Sequence, residues 1–104
     1  MSDLSMEAKT LEPCTLITVK GRVDSTTAQE FEAELTKYKK IALNMADVSY
    51  MSSAGLRALV KAKKNGEVRI VAPSSRVAEV LDLAGLNSLF ETFQSNEDAV
   101  GARW

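Results

Sequence analysis

Residues 41–66 read IALNMADVSYMSSAGLRALVKAKKNG, and inside this stretch the spacing of apolar residues changes from that of a strand to that of a helix. Ile41, Leu43 and Met45 alternate with Ala42 and Asn44, the pattern of a strand that ends near Asp47. After residues 48–53, Leu56, Leu59 and Val60 fall on one helical stripe. Lys61, Lys63 and Lys64 suit the negative end of that helix's dipole as a solvated helix end, and Asn65 with Gly66 stops it. A strand running straight into an amphipathic helix is half of a β-α-β crossover, so the sheet is parallel at this point.

Outward toward the carboxyl end, residues 68–72 form a short apolar strand that belongs inside the sheet. Pro73, Ser74 and Ser75 open a third helix with the stripe Val77, Val80, Leu81 and Ala84, and Gly85 supplies the left-handed residue that ends it. Leu89, Phe90 and Phe93 suggest a short last strand or packed turn, and Ser95 with Asp98 three places on caps a final helical turn through Val100. Toward the amino end, Leu4, Met6 and Ala8 alternate with Ser5, Glu7 and Lys9 in an edge strand. Glu12 and Pro13 turn the chain, and residues 14–20 return antiparallel until Gly21 stops them. A first helix carries Ala28, Phe31, Leu35 and Tyr38 on one face and begins at Thr26, in a capping box with Gln29.

The order β-β-α-β-α-β-α, closed by a short helix, predicts an α/β fold in a single domain over residues 1–104. Its mixed sheet has four to five strands. Each helix has one narrow apolar stripe, so the helices pack mainly on one face.

Composition removes most chemistry. The chain has no histidine, which excludes Ser-His-Asp and Cys-His catalysis and most zinc sites. Its single cysteine, Cys14, cannot form an internal disulfide and opens an apolar run, where a buried, inert thiol is expected. No metal or cofactor is expected, since neither GxxxxGK[ST] nor GxGxxG is present. A net charge of −1 disfavours direct nucleic-acid binding. No apolar run approaches the roughly 20 residues of a membrane span. The polar opening Met1, Ser2, Asp3 lacks a signal peptide's basic and apolar regions, so the expected address is cytoplasmic.

In open α/β sheets the functional crevice lies beyond the carboxyl ends of the parallel strands, where the third strand delivers Asp47 through to Gly55. Ser52 and Ser53 stand at the start of the second helix, beside the short residues Ala54 and Gly55. Unpaired backbone N–H groups and the positive end of the dipole favour a phosphate there. Serine is equally a favoured N-cap, and with no histidine to serve as base neither serine is expected to be a nucleophile. Tyr50 and Met51 are expected to pack beneath the loop. Asp24 is a candidate partner for the serine loop or an ordinary residue preceding a helix; Asp47 is a candidate contact or a turn residue; Arg57 is a docking contact or a solvated charge. Arg103 and Trp104 carry no assigned role.

Three blocks, in order, resemble a known family. Gly21, Arg22, Val23 and Asp24, with Thr27 and Ala28, look like the G-x-[LIV]-D-x-x-[TS]-A segment of STAS domains. Residues 47–59, DVSYMSSAGLRAL, look like the central signature of bacterial anti-sigma factor antagonists. Residues 75–90 and 95–100 are similar to the family's third helix, last strand and C-terminal helix.

The resemblance implies a switch component that is not an enzyme. Such a protein binds an anti-sigma factor that is also a serine kinase, is phosphorylated at the start of its second helix, and is restored by a PP2C-type serine phosphatase. The aligned acceptor is Ser53, with Ser52 as the alternative, because Ser52 and Ala54 stand where one common family pattern has aspartate and a second hydroxyl residue. Asp24, Asp47, Ser52, Ser53, Gly55 and Arg57 are the implied partner-binding residues, on a monomer or weak dimer. The other reading is a STAS subunit of a membrane transport ATPase complex, or a module that senses a small ligand.

Overall fold

The computed structural model describes residues 3–104; Met1 and Ser2, part of the polar opening, lie outside the described residues. The order is β1 (Leu4–Leu11), β2 (Cys14–Val23), α1 (Ala28–Leu35), β3 (Lys40–Met51), α2 (Ser53–Asn65), β4 (Glu67–Val71), α3 (Ser75–Leu83), β5 (Glu91–Phe93) and α4 (Asn96–Gly101). The strands lie side by side in sequence order in one five-stranded sheet. β1 and β2 form the expected antiparallel hairpin, and every later pairing is parallel. The expected mixed sheet of an α/β domain is thus present.

α1, α2 and α3 cover one face. Phe31, Leu35, Leu59, Val77 and Leu81 pack there with Ile17, Val19, Leu43 and Ile70 of the sheet, all buried. α4 lies on the other face, where Ala99, Val100 and Trp104 pack with Ala42, Val71, Leu16 and Phe93. With three helices on one side and one on the other, the helices pack mainly on one face, as expected.

Several boundaries differ from the sequence reading. β2 does not stop at Gly21 but continues to Val23, with Gly21 at φ +103° inside an irregular stretch. β3 does not end near Asp47 but runs to Met51, because register shifts against β2 keep it paired with the prolonged strand. α1 begins at Ala28, and the Thr26–Gln29 capping box does not form. The Thr26 hydroxyl donates to Asp24 Oδ1 at 2.7 Å, a local turn that competes with capping.

In α2 the buried face is Gly55, Ala58, Leu59 and Ala62; the small residues Gly55, Ala58 and Ala62 let the helix lie close to the sheet, and Leu59 fills the core. That turns Leu56 and Val60 to half-buried positions at the flank. In α3, Val77 and Leu81 are buried as expected, but Ala84 is an exposed C-cap, since the helix has already ended at Leu83. Gly85 takes the expected left-handed conformation at φ +71°. Ser95 Oγ accepts from Asp98 N–H at 3.1 Å and opens α4 as predicted. Cys14 is buried, and burial pushes its thiol pKa up, which keeps it protonated.

Candidate functional site at the start of the second helix

The prolonged ends of β2 and β3 determine where the serine loop sits. Val23 pairs with Met51, and Ser52 N–H donates to Val23 carbonyl at 2.8 Å, so the chain leaving β3 is tied to the chain leaving β2. This bond brings the loop that starts at Asp24 next to the chain entering α2 at Ser52. Asp24 Oδ1 accepts from Thr26 N–H at 2.9 Å, Thr26 Oγ1 at 2.7 Å and Thr27 N–H at 3.2 Å. The buried Thr27 hydroxyl donates to the Arg22 carbonyl at 2.8 Å and accepts from Asp24 N–H at 2.9 Å, which locks the loop between β2 and α1.

The two serines have different environments. Ser52 is half-buried and is the N-cap of α2: its Oγ accepts from Gly55 N–H at 3.2 Å. Ser53 is exposed as the first helical residue, and its hydroxyl makes no hydrogen bond among the described residues. Arg57, four residues on and therefore on the same side of the helix, is exposed as well. The dipole of a thirteen-residue helix favours an anion at this end.

Gly55 is buried and works by close approach. A β-carbon there would lie 2.7 Å from Val23 Cγ1 and closer still to Met51 Sδ. Any part it plays in binding is therefore indirect, through the seating of α2. The Met51 thioether can swing away, but Val23 is branched and held in a strand. Gly55→Ala is expected to cost about 1–3 kcal/mol, checked by urea midpoints. An unchanged midpoint would show that α2 has slack here.

Asp47 does not reach this loop. It lies exposed within β3 opposite Lys20, roughly 10 Å or more from the strand end at the usual strand rise. In its place the structure brings up Arg22 and Tyr50, which the site reading passed over. Arg22 Nε is 3.7 Å from Asp24 Oδ2, and its guanidinium lies 4.5 Å from the centre of the Tyr50 ring. Alternation did not reveal either residue, because the period breaks at Ala46 and Asp47 and the register shifts at Gly21. Met51 is buried beneath the loop as expected, whereas Tyr50 is half-buried on the flank.

The Asp24 carboxyl is held below its ordinary pKa, first by the Thr26 hydroxyl, then by Thr26 N–H and by Thr27. A depressed folded-state pKa adds stability that is present above the unfolded value, about 3.9, and is lost as pH falls through the folded value. The gap in urea midpoint between wild type and Asp24→Asn is therefore expected to shrink as the solution is acidified below about pH 4. A gap independent of pH would contradict this.

The family model of the STAS domain matches residues 5–99, and the chain belongs to that family. It is 31% identical over 94 residues to BtrV of Bordetella bronchiseptica, named as an anti-sigma factor antagonist, with 81% of both chains covered. It is 29% identical over 105 residues to the anti-sigma-B factor antagonist of Staphylococcus aureus, covering 91% of this chain and 97% of that one. The crystal structure of an anti-sigma factor antagonist from Mycobacterium paratuberculosis superposes with a TM-score of 0.84 at 18% identity, covering 94% and 92% of the two chains. SpoIIAA superposes at 0.78 in its unphosphorylated form and 0.73 in its phosphorylated form, at 18% and 16% identity. The coverage is 92% of this chain and 93% of that one for the first, and 93% and 97% for the second. No helix among the described residues is long and apolar enough to cross a membrane.

Proposed function

We propose that the chain is an anti-sigma factor antagonist in a partner-switching pathway of the cytoplasm, a binding protein rather than an enzyme. Its partner is an anti-sigma factor with serine kinase activity. Ser53 is the acceptor, and a PP2C-type phosphatase removes the phosphate. The observation that carries this reading is the division of labour between the serines. Ser52 Oγ is occupied by the Gly55 N–H, and Ser53 Oγ faces solvent at the positive end of α2. The relatives described above, which are named anti-sigma factor antagonists, support it, as does SpoIIAA, which has been solved with and without its phosphate.

With no histidine in the chain, the Ser53 hydroxyl has no imidazole to deprotonate it, so the kinase must supply the base as well as the ATP. Asp24 on the neighbouring loop, Arg22 paired with it at 3.7 Å, and Arg57 one turn along α2 serve as docking contacts. The test is incubation with the anti-sigma factor kinase and ATP, followed by intact-mass measurement and site mapping. One phosphate on wild type and on Ser52→Ala, and none on Ser53→Ala, is expected. Ser52→Ala also loses about 1 kcal/mol as its cap is removed. A phosphate mapped to Ser52, or to neither serine, would overturn the assignment.

A further inference from the structure

Between α2 and the turn that follows α3 runs an open groove of about 500 Å3. Its floor is apolar, with Leu56, Val60, Ala84 and Leu86; its rim on α2 carries Arg57, Lys61 and Lys64, and Glu32 of α1 is the one acidic residue that lines it, so three cations face one carboxylate. These three cations are spaced four and three residues apart, so they form one ridge. Lys61 is paired with Glu32 at 3.2 Å, but Arg57 and Lys64 have no anionic partner among the described residues. The surface is thus locally positive on a chain whose net charge is −1. The exposed large apolar side chains, Leu83 at 80% and Leu89 at 40%, flank the same turn in sequence.

Small-molecule sites enclose most of their ligand, whereas an open channel with apolar floor and cationic rim matches a protein segment with an apolar ridge flanked by carboxylates. We propose that this groove docks an acidic amphipathic segment of the anti-sigma factor. The proposal rests on the function given above and adds a second surface to it, with Arg57 common to both. A phosphate on Ser53, one turn before Arg57, competes with the partner's carboxylate for the same guanidinium. Release of the partner then draws on two effects, repulsion at the serine loop and loss of the Arg57 contact.

The test measures the affinity of the full chain for the anti-sigma factor with two variants distant from Ser53. Lys64→Glu reverses the rim charge and is expected to weaken binding about tenfold at low salt, with the gap closing as ionic strength rises. Val60→Ser removes floor contact and is expected to weaken binding about tenfold at every ionic strength. Lys64 is exposed and Val60 half-buried, so melting temperatures of both variants verify folding. If wild type does not bind the anti-sigma factor, the proposed function fails and the docking surface with it. If wild type binds and both variants bind as tightly, the groove proposal alone is overturned. A Lys64→Glu effect confined to self-association in sedimentation overturns it too, because the groove is then a contact between copies of this chain.

Discussion

Arg69→Ala is expected to lower stability by about 3–5 kcal/mol and the melting temperature by roughly 12 °C or more, and to release the C-terminal helix. Arg69 stands in β4 and is 4% exposed, so its charge has left water and must be balanced inside the protein. Its guanidinium donates to the Ala99 carbonyl at 2.7 Å, to the Ala102 carbonyl at 2.9 Å and to the Arg103 carbonyl, the unpaired acceptors at the end of α4. It lies 3.7 Å from the centre of the Trp104 ring and 5.4 Å from that of Phe93. Glu91 Oε1 is 3.9 Å from the buried Nε, which has no hydrogen-bond partner among the described residues.

α4 has only six residues and one buried side chain, Ala99, which is too little to hold it alone. Removal of Arg69 leaves the carbonyls without their donor and the Trp104 ring without its cation. Trp104 is the only tryptophan, so its emission reports the event directly: a red shift at mild denaturant, before the bulk of the helix signal is lost. Arg69→Lys is not expected to restore stability, since an ammonium has no planar fork to serve three carbonyls and stack on a ring. A Trp104 signal and a melting temperature unchanged by Arg69→Ala would show that α4 is held by something else.

The same residue shows where the sequence was legible and where it was not. Alternation placed β1 and the body of β2 and helical stripes placed the three larger helices, because each has one face in a single core, while β4 was legible as a short apolar run. The period failed in β3, whose exposed neighbours Ala46 and Asp47 break the alternation where the register slips, although the strand continues to Met51. That slip displaced Asp47 from the predicted crevice and hid Arg22 and Tyr50.

Trp104 and Arg103 had no readable role because their partner, Arg69, is thirty-five and thirty-four residues away in sequence. The visible signal was a lone arginine in the run Val68, Arg69, Ile70, Val71: a charge in a strand buried on both faces must find acceptors somewhere in the fold. The site itself was partly legible. The tandem serines at the start of α2 were evident from residue type and position, but only the Ser52–Gly55 hydrogen bond separates the capping hydroxyl from the free one.

Phosphorylation of Ser53 is expected to leave the fold in place while weakening the partner complex by a hundredfold or more. The added charge, about −1.5 to −2, meets the positive end of α2 and the Arg57 guanidinium one turn away, so the helix tolerates it. The partner does not: a surface fitted to a neutral hydroxyl beside Asp24 now faces like charge and a buried phosphate. That costs on the order of 3 kcal/mol.

Calorimetric titration of the anti-sigma factor with the unphosphorylated and the Ser53-phosphorylated chain, with melting curves of both forms, measures the two halves of this claim together. The account predicts melting temperatures within a few degrees of one another, roughly what a charge at a helix end contributes, and dissociation constants about a hundredfold apart. Equal dissociation constants for two folded forms would contradict it.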